Sequence, residues 1–156
     1  MSPAWKQMRK GGQEMNVTGE QGERVEVFFY GLFMDEALLR GKGLNPLNRR
    51  VAYVEGFRLR IGERATLVPS EGATAHGVVF SLTRGELDAL YSEPSVSAYR
   101  PEVVNARTAD GGSARALCFN LPAPPSAGER NPLYASKLRE LAARLGLPAD
   151  YVSSIR

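Results

Sequence analysis

The sequence predicts an α+β protein built on a small, curved, mixed β-barrel, with short flanking helices and a helix near the C-terminus. Its elements follow the order strand, short helix, several strands, short helix, hairpin and helix. Long helices do not alternate with the strands, which disfavours a doubly wound parallel sheet. The 156 residues contain no internal repeat and no linker, and this length is typical of one domain. We therefore predict a single domain over residues 25–156, preceded by a flexible polar arm over residues 1–24.

The first strand, predicted over residues 25–30, leads into a glycine and a short helix. Its apolar residues lie on both faces towards its end, which is typical of a central strand. Gly31 allows a sharp turn and a close ligand, because it has no Cβ. The helix covers residues 35–41 with Asp35 as its cap, and N–H groups at a helix start suit a carboxylate or a developing oxyanion. A plain strand–turn–helix junction has the same pattern, so this stretch alone leaves both interpretations open.

Four more strands are predicted in the middle of the chain, at residues 51–54, 57–61, 65–68 and 76–82. Apolar and basic residues alternate in the second of these, as on a sheet face that is half in water. A Glu-Gly pair at 55–56 separates the first two strands, and a turn at 69–72 separates the last two. We expect these segments to be successive strands of the curved sheet.

A second short helix and a hairpin come next. Thr83 and Glu86 form the pattern of a capping box at the start of this helix, and Pro94 disfavours its continuation. Residues 99–104 and 114–119 are predicted to pair as a hairpin around an Asp-Gly-Gly turn.

The last helix has the strongest helical signals in the chain. Asn131 is placed to cap it, Pro132 suits its first position, and Gly146 ends it. Apolar residues recur between them at helical spacing, at Leu138, Leu141, Ala142 and Leu145.

Composition and charge argue against several functions. The net charge is +3, from 20 basic and 17 acidic residues, and the sequence shows no basic face of the kind that binds nucleic acid. No apolar run approaches the ~20 residues of a membrane span, and the N-terminus lacks the apolar core of a secretion signal. We therefore expect a cytoplasmic protein that binds neither membranes nor nucleic acid.

The single histidine and the single cysteine limit the chemistry further. One of each cannot form a zinc site of the Cys/His type within one chain, and one cysteine cannot form an intramolecular disulfide. His76 is interpreted as a residue at the start of a strand rather than a catalytic base, and Cys118 as part of a strand's core. No metal or other cofactor is expected.

Several stretches occur in the order that one known family shows. A strand and a capped helix over residues 77–93 end in a glutamate, and a tyrosine then opens the strand at 99–104. The run Asn-Pro-Leu-Tyr at 131–134 and the segment at 145–152 close the chain. Together with the Tyr30-Gly31 turn, these residues resemble the γ-glutamylcyclotransferase-like family over residues 25–156.

The resemblance implies a curved mixed barrel and an enzyme that releases 5-oxoproline from a small γ-glutamyl substrate without a cofactor. It implies that Glu93 is the catalytic acid and base. It further implies that the substrate-binding residues are Tyr30, Gly31, Leu32 and Phe33 of the loop after the first strand, with Tyr99 and Tyr134. Tyr134 matches a tyrosine that contacts substrate in some members of the family.

The implied reaction needs one proton-transfer group. The α-amine of the substrate attacks its own γ-carbonyl, and closure of a five-membered ring gains from proximity. That amine is an ammonium at neutral pH, so a carboxylate must take its proton and later give one to the leaving amine. A carboxyl group can do both when burial raises its pKa. Glu93, between an apolar helix end and Pro94, is expected to be partly buried.

The sequence departs from the family pattern at two places. The family loop usually has Ser or Thr after its glycine, often with Leu or Asn next, whereas this chain has Leu32 and Phe33. The family commonly has glycine after its glutamate, whereas this chain has Pro94, which removes a backbone donor. A module that binds a small amide-containing ligand without turnover is therefore an alternative. The arginine content leaves an RNA-associated protein as a weaker one.

Overall fold

The computed structural model describes residues 23–156 and contains a closed five-stranded barrel. Its strands are β1 (Arg24–Phe29), β2 (Leu47–Ile61), β3 (Ala65–Thr83), β4 (Arg100–Thr108) and β5 (Ser113–Asn120). They are hydrogen-bonded in the order β1-β3-β2-β4-β5, and β5 closes on β1 through a parallel pairing, the other pairings being antiparallel. The predicted small mixed barrel is therefore confirmed. Of the predicted arm, residues 1–22 lie outside the described residues.

The structure describes four helices and two single 3-10 turns around this barrel. The helices are α1 (Glu36–Gly41), α2 (Arg84–Leu90), α3 (Pro132–Arg144) and α4 (Ala149–Ser154). The 3-10 turns are Leu32–Met34 and Pro94–Val96. Asp35 and Asn131 cap α1 and α3 as predicted, since each side chain accepts a hydrogen bond from a backbone N–H group of the first turn.

The middle of the chain differs from the prediction, because the four predicted strands form two long ones. β2 and β3 are continuous through the expected separators at 55–56 and 69–72. Glu55 pairs with Thr74 and Phe57 with Pro69, so the intervening residues of β3 bulge opposite Gly56. Gly56 has a φ of 87°, a conformation that glycine adopts without strain. The turn residues thus bend a long hairpin instead of ending its strands.

His76 and Cys118 both lie within strands. The prediction that His76 starts a strand is wrong, because β3 begins at Ala65 and runs through it. The His76 ring instead packs near the rings of Tyr53 and Tyr151, with centroid distances of 5.6 and 4.8 Å. Cys118 is fully buried in β5, as predicted for a strand's core.

Alternation along the strands divides the core into two clusters. Val27 and Phe29 of β1 belong to a cluster that includes helix residues such as Leu138. Phe28 and Tyr30 belong to a second cluster, whose other members come from the strands. The first cluster therefore lies between the barrel and its helices, and the second fills the barrel. Because β1 contributes to both, it is buried on both faces, as predicted for a central strand.

The predicted capping box is present at the start of α2. Thr83 Oγ1 accepts a hydrogen bond from the N–H of Glu86 at 3.0 Å, and Glu86 Oε1 accepts one from the N–H of Thr83 at 2.8 Å. The Glu86 carboxylate also accepts from the N–H of Asn45 at 2.6 Å and lies 3.8 Å from the Arg24 guanidinium. These contacts tie the start of α2 to β1 and to the loop after α1.

Replacing Thr83 with alanine should lower the free energy of unfolding by about 1 kcal/mol, because the first turn of α2 loses its side-chain acceptor. Urea unfolding followed by circular dichroism measures this difference. Thr83→Ser keeps the hydroxyl and should retain most of the stability. An equal loss in both variants would contradict the role of the hydroxyl as a cap.

Candidate active site

A cavity of about 320 Å³ lies at the end of β1. The residues that the sequence analysis assigned to catalysis or substrate binding all line it: Tyr30, Gly31, Leu32, Phe33, Glu93, Tyr99 and Tyr134. They come from four separate segments, which are the loop after β1, the segment after α2, the approach to β4 and the start of α3. The structure thus brings these residues together, and their individual roles stay predictions.

The loop after β1 is shaped by close contact with α3. A Cβ at Gly31 would lie 2.5 Å from the hydroxyl oxygen of Tyr134, so a side chain at this position would displace the tyrosine. The same hydroxyl accepts a hydrogen bond from the N–H of Leu32 at 3.3 Å. The close approach that we expected of a ligand at Gly31 is therefore made, in this structure, by Tyr134.

At the start of the helix that follows this loop, two N–H groups are already bonded to a side chain of the same helix start. The 3-10 turn Leu32–Met34 separates Gly31 from α1. The carboxylate of Asp35 then accepts from the N–H groups of Ala37 and Leu38, at 3.0 and 3.4 Å. The start of α1 is thus occupied by its own capping residue.

Glu93 lies between α2 and the 3-10 turn Pro94–Val96, where the backbone is fixed by a hydrogen bond from the N–H of Val96 to the Glu93 carbonyl at 3.0 Å. Its side chain is 38% exposed. The Nζ of Lys42 donates to both carboxylate oxygens, at 3.0 and 3.1 Å. The cavity therefore contains a carboxylate that is half-buried and already paired with a cation.

Two tyrosine hydroxyls of the cavity wall are bonded to backbone carbonyls. The Tyr30 hydroxyl donates to the carbonyl of Phe119 at 2.6 Å, and the Tyr99 hydroxyl donates to the carbonyl of Ala65. Burial raises the pKa of Tyr30 well above its usual value, and burial with a smaller contribution from Tyr134 raises the pKa of Tyr99 to about 12. Both side chains are therefore neutral at physiological pH and are held in fixed orientations.

Aromatic rings form the rest of the wall. Tyr91 stacks on Phe119, with centroids 4.0 Å apart and planes at 10°. The edge of Phe33 meets Tyr91 with a centroid distance of 6.0 Å, and Phe33 is also 6.0 Å from Phe29. Such edge-to-face pairs are favourable arrangements of aromatic side chains. Phe33, one of the two departures in the loop, thus has a definite place in an apolar wall.

Sequence reasoning missed several residues of the cavity. Lys42 was not predicted as a site residue. It stands between two glycines at a helix end, and no sequence pattern links it to Glu93. Glu63 and Arg64 lie in the tight turn of the β2–β3 hairpin and also line the cavity. Tyr91, the residue directly after α2, lines the cavity as well. Each of these assignments requires the long-range contacts of the closed barrel.

Within residues 23–156, no three or more His, Cys, Asp or Glu side chains are grouped so that they could hold a metal ion. None of the helices in this range is long and apolar enough to cross a membrane.

Solved structures share this fold over most of their length. A structure named gamma-glutamyl cyclotransferase aligns with a TM-score of 0.72 and 21% identity, covering 85% of this chain and 86% of its own. An uncharacterised protein from Homo sapiens aligns with a TM-score of 0.71 and 23% identity, over 85% and 86% of the two chains. A yeast γ-glutamyl cyclotransferase specific to glutathione aligns with a TM-score of 0.58 and 14% identity, covering 85% of this chain and 93% of its own. The barrel and its outer helices therefore have the γ-glutamylcyclotransferase-like α+β fold.

The sequence also identifies the family to which the chain belongs. Residues 27–137 match the family described as gamma-glutamyl cyclotransferase, AIG2-like. The chain belongs to this family, and the resemblance found in the sequence is confirmed. The matched range runs from β1 into α3 and so includes the loop after β1, Glu93 and Tyr134. No curated protein matches the sequence.

Gly31→Ala should lower the free energy of unfolding by about 1–3 kcal/mol, because the new Cβ overpacks the contact with Tyr134. In a Tyr134→Phe background the clashing oxygen is absent, so the same substitution should cost less. A double-mutant cycle measured by urea unfolding gives this coupling. Gly41→Ala is the control, since a Cβ there meets nothing within 4 Å. An equal cost of Gly31→Ala in both backgrounds would rule out the contact.

The raised pKa of Tyr99 predicts a loss of stability at alkaline pH. Its pKa is raised by burial from 10.0 to about 12, so between these values the unfolded state has lost a proton that the folded state retains. The free energy of unfolding therefore falls as the pH rises through this range. Urea unfolding at a series of pH values should show a shallower fall for Tyr99→Phe than for the wild type. Parallel curves for the two proteins would argue against this assignment.

Proposed function

We propose that this protein is a γ-glutamyl cyclotransferase-type enzyme that releases 5-oxoproline from a γ-glutamyl amino acid or amine. The observation that carries the proposal is that Glu93 lines the same cavity as the loop of residues 30–33. Membership of the family supports the class of reaction. One structural neighbour is named as specific to glutathione, which makes glutathione one candidate substrate. We place the enzyme in the cytoplasm, where a free cysteine such as Cys118 stays reduced.

The proposed reaction exchanges one carbon–nitrogen bond for another and moves two protons. The α-ammonium of the substrate gives a proton to the Glu93 carboxylate, and the free amine attacks the γ-carbonyl carbon. The new bond closes a five-membered ring, and the bond to the leaving amine breaks. The ring nitrogen gives up a second proton as the lactam forms. The leaving nitrogen gains both protons and departs as an ammonium, so Glu93 ends the cycle as a carboxylate.

The other cavity residues are assigned to binding. The loop of residues 30–33 supplies backbone groups and apolar side chains, and Tyr134 supplies a hydroxyl beside them. Tyr30 and Tyr99 give the cavity its shape, because their hydroxyls are already bonded to backbone carbonyls. An apolar wall around a few polar groups is the usual composition of a small-molecule site, and it excludes water from the reacting atoms.

A binding module without turnover is the second candidate. The observation that favours it is the engagement of both Glu93 oxygens by Lys42, since a paired carboxylate is less available as a base. The loop also favours this candidate, because Leu32 stands where the family usually has a hydroxyl and Phe33 makes the cavity more apolar. In this case a small amide-containing ligand would bind and be recovered unchanged.

Glu93→Gln should abolish the release of 5-oxoproline while leaving the protein folded, because an amide cannot take the ammonium proton. The measurement is mass-spectrometric detection of 5-oxoproline after incubation with γ-glutamyl amino acids, γ-glutamyl amines and glutathione. Glu71→Gln is the matched control, since it removes the same charge from an exposed position of β3.

The outcomes separate the two candidates. Release by the wild type and Glu71→Gln but not by Glu93→Gln supports the enzyme. Full activity of Glu93→Gln would end the assignment of that residue as acid and base. A ligand that raises the melting temperature of the wild type and is recovered intact, with no release across the panel, favours the binding module.

A further inference from the structure

The charged pair Lys42–Glu93 has a feature that the proposed proton transfer leaves unexplained. Lys42 lines the cavity together with Glu93, and its Nζ lies 3.0 and 3.1 Å from the two carboxylate oxygens. The two side chains are 29% and 38% exposed, so solvent reaches both and either can exchange its partner. Glu93 is the proposed base for the ammonium of the substrate. In this structure it is already paired with a different ammonium, that of Lys42.

Charge balance shows what an arriving ligand must bring. If a ligand carries only an ammonium, two cations compete for the single carboxylate of Glu93, which is unfavourable at short range. If the ligand also carries a carboxylate, each charge of the pair gains an opposite partner. An α-amino acid head is such a ligand. Its nitrogen and its carboxylate oxygens are about 3 Å apart, from standard bond lengths, which matches the spacing of the pair.

We propose that Lys42 binds the α-carboxylate of the substrate while Glu93 receives the α-ammonium. This assignment rests on the proposed function, since it names the group of the γ-glutamyl substrate that opens the ion pair. Transfer of Lys42 to the α-carboxylate frees the Glu93 oxygens for the proton. The protein then prefers γ-glutamyl compounds with a free α-carboxylate, and α-amides and α-esters bind more weakly.

The place of Lys42 in the chain suits this exchange. Its backbone is held at the end of α1, where its N–H donates to the carbonyl of Leu39 at 3.0 Å. Its side chain is a flexible four-carbon stem that ends in a point charge with three donors. The ammonium can therefore move from one carboxylate to another nearby while the helix end stays in place.

The test compares two small ligands by isothermal titration calorimetry. The first is L-glutamine, the smallest γ-glutamyl amide, and the second is its α-carboxamide, which keeps the ammonium and lacks the carboxylate. The wild type should bind L-glutamine about ten- to a hundredfold more tightly than the α-carboxamide, as expected for the loss of a hydrogen bond between charged groups. Lys42→Met should bind L-glutamine as weakly as the wild type binds the α-carboxamide.

Two variants control the comparison. Lys137→Met removes the same charge from an exposed position of α3 and should bind L-glutamine like the wild type. Lys42→Arg keeps the charge and should retain part of the preference for the free carboxylate. Melting temperatures of all variants show whether each one is folded, which is expected because the side chains of Lys42 and Lys137 both reach solvent.

The results also separate this inference from the proposed reaction. Unchanged binding of L-glutamine to Lys42→Met, or no binding of L-glutamine to the wild type at millimolar concentration, overturns the role of Lys42. Binding that depends on Lys42 in a protein without 5-oxoproline release supports the inference and counts against the enzyme. Where turnover is found, Lys42→Met should raise KM about ten- to a hundredfold, with a smaller change in kcat.

Discussion

Burial of β1 on both of its faces is the constraint on which the rest of the structure depends. β3 pairs along one edge of this strand and β5 closes the barrel along the other. Val27 and Phe29 pack towards the helices, and Phe28 packs inside the barrel. Any shift of the strand would expose apolar surface on one side or the other, at a cost of roughly 25 cal/mol for each Å². The point at which the chain leaves β1 is therefore fixed, and so is the loop that begins at Gly31.

Hydrogen bonds also hold three tyrosines of the cavity wall in place. The hydroxyls of Tyr30 and Tyr99 donate to carbonyls of other segments, and the hydroxyl of Tyr134 accepts from the loop itself. These phenols are neutral over the physiological pH range, and burial raises the pKa of Tyr30 and Tyr99 further above it, so they hold shape and polarity constant there. The adjustable groups are then the charged side chains at the cavity, of which Lys42 and Glu93 are already in contact.

The sequence predicted local structure well where that structure depends on residues close together in the chain. The capping box at Thr83, the cap at Asn131 and the central character of β1 all follow from neighbours in the chain, and all are present. The extent of β2 and β3 was not predictable in this way. A glycine such as Gly56 has the same local preference in a turn as in a bulge, and only the pairing of the flanking strands decides between them. The resemblance predicted seven site residues, and the structure places all of them around one cavity. It did not predict Lys42, whose contact with Glu93 spans 51 positions in the chain.

The apolar loop and the Lys42–Glu93 ion pair line the same cavity and contribute to it in different ways. With Leu32 and Phe33 in the loop, the loop side of the cavity offers apolar surface, and Phe33 is held there by its edge contacts with Tyr91 and Phe29. Such a wall excludes water but does little to orient a polar ligand, because dispersion and burial are not directional. Orientation must then come from charge. A positive and a negative group 3.0 Å apart fix both the position and the direction of a zwitterion, since reversing the ligand would bring like charges together. Under the proposed function, the loop therefore shapes the cavity, and the Lys42–Glu93 pair orients the head of the ligand that binds there.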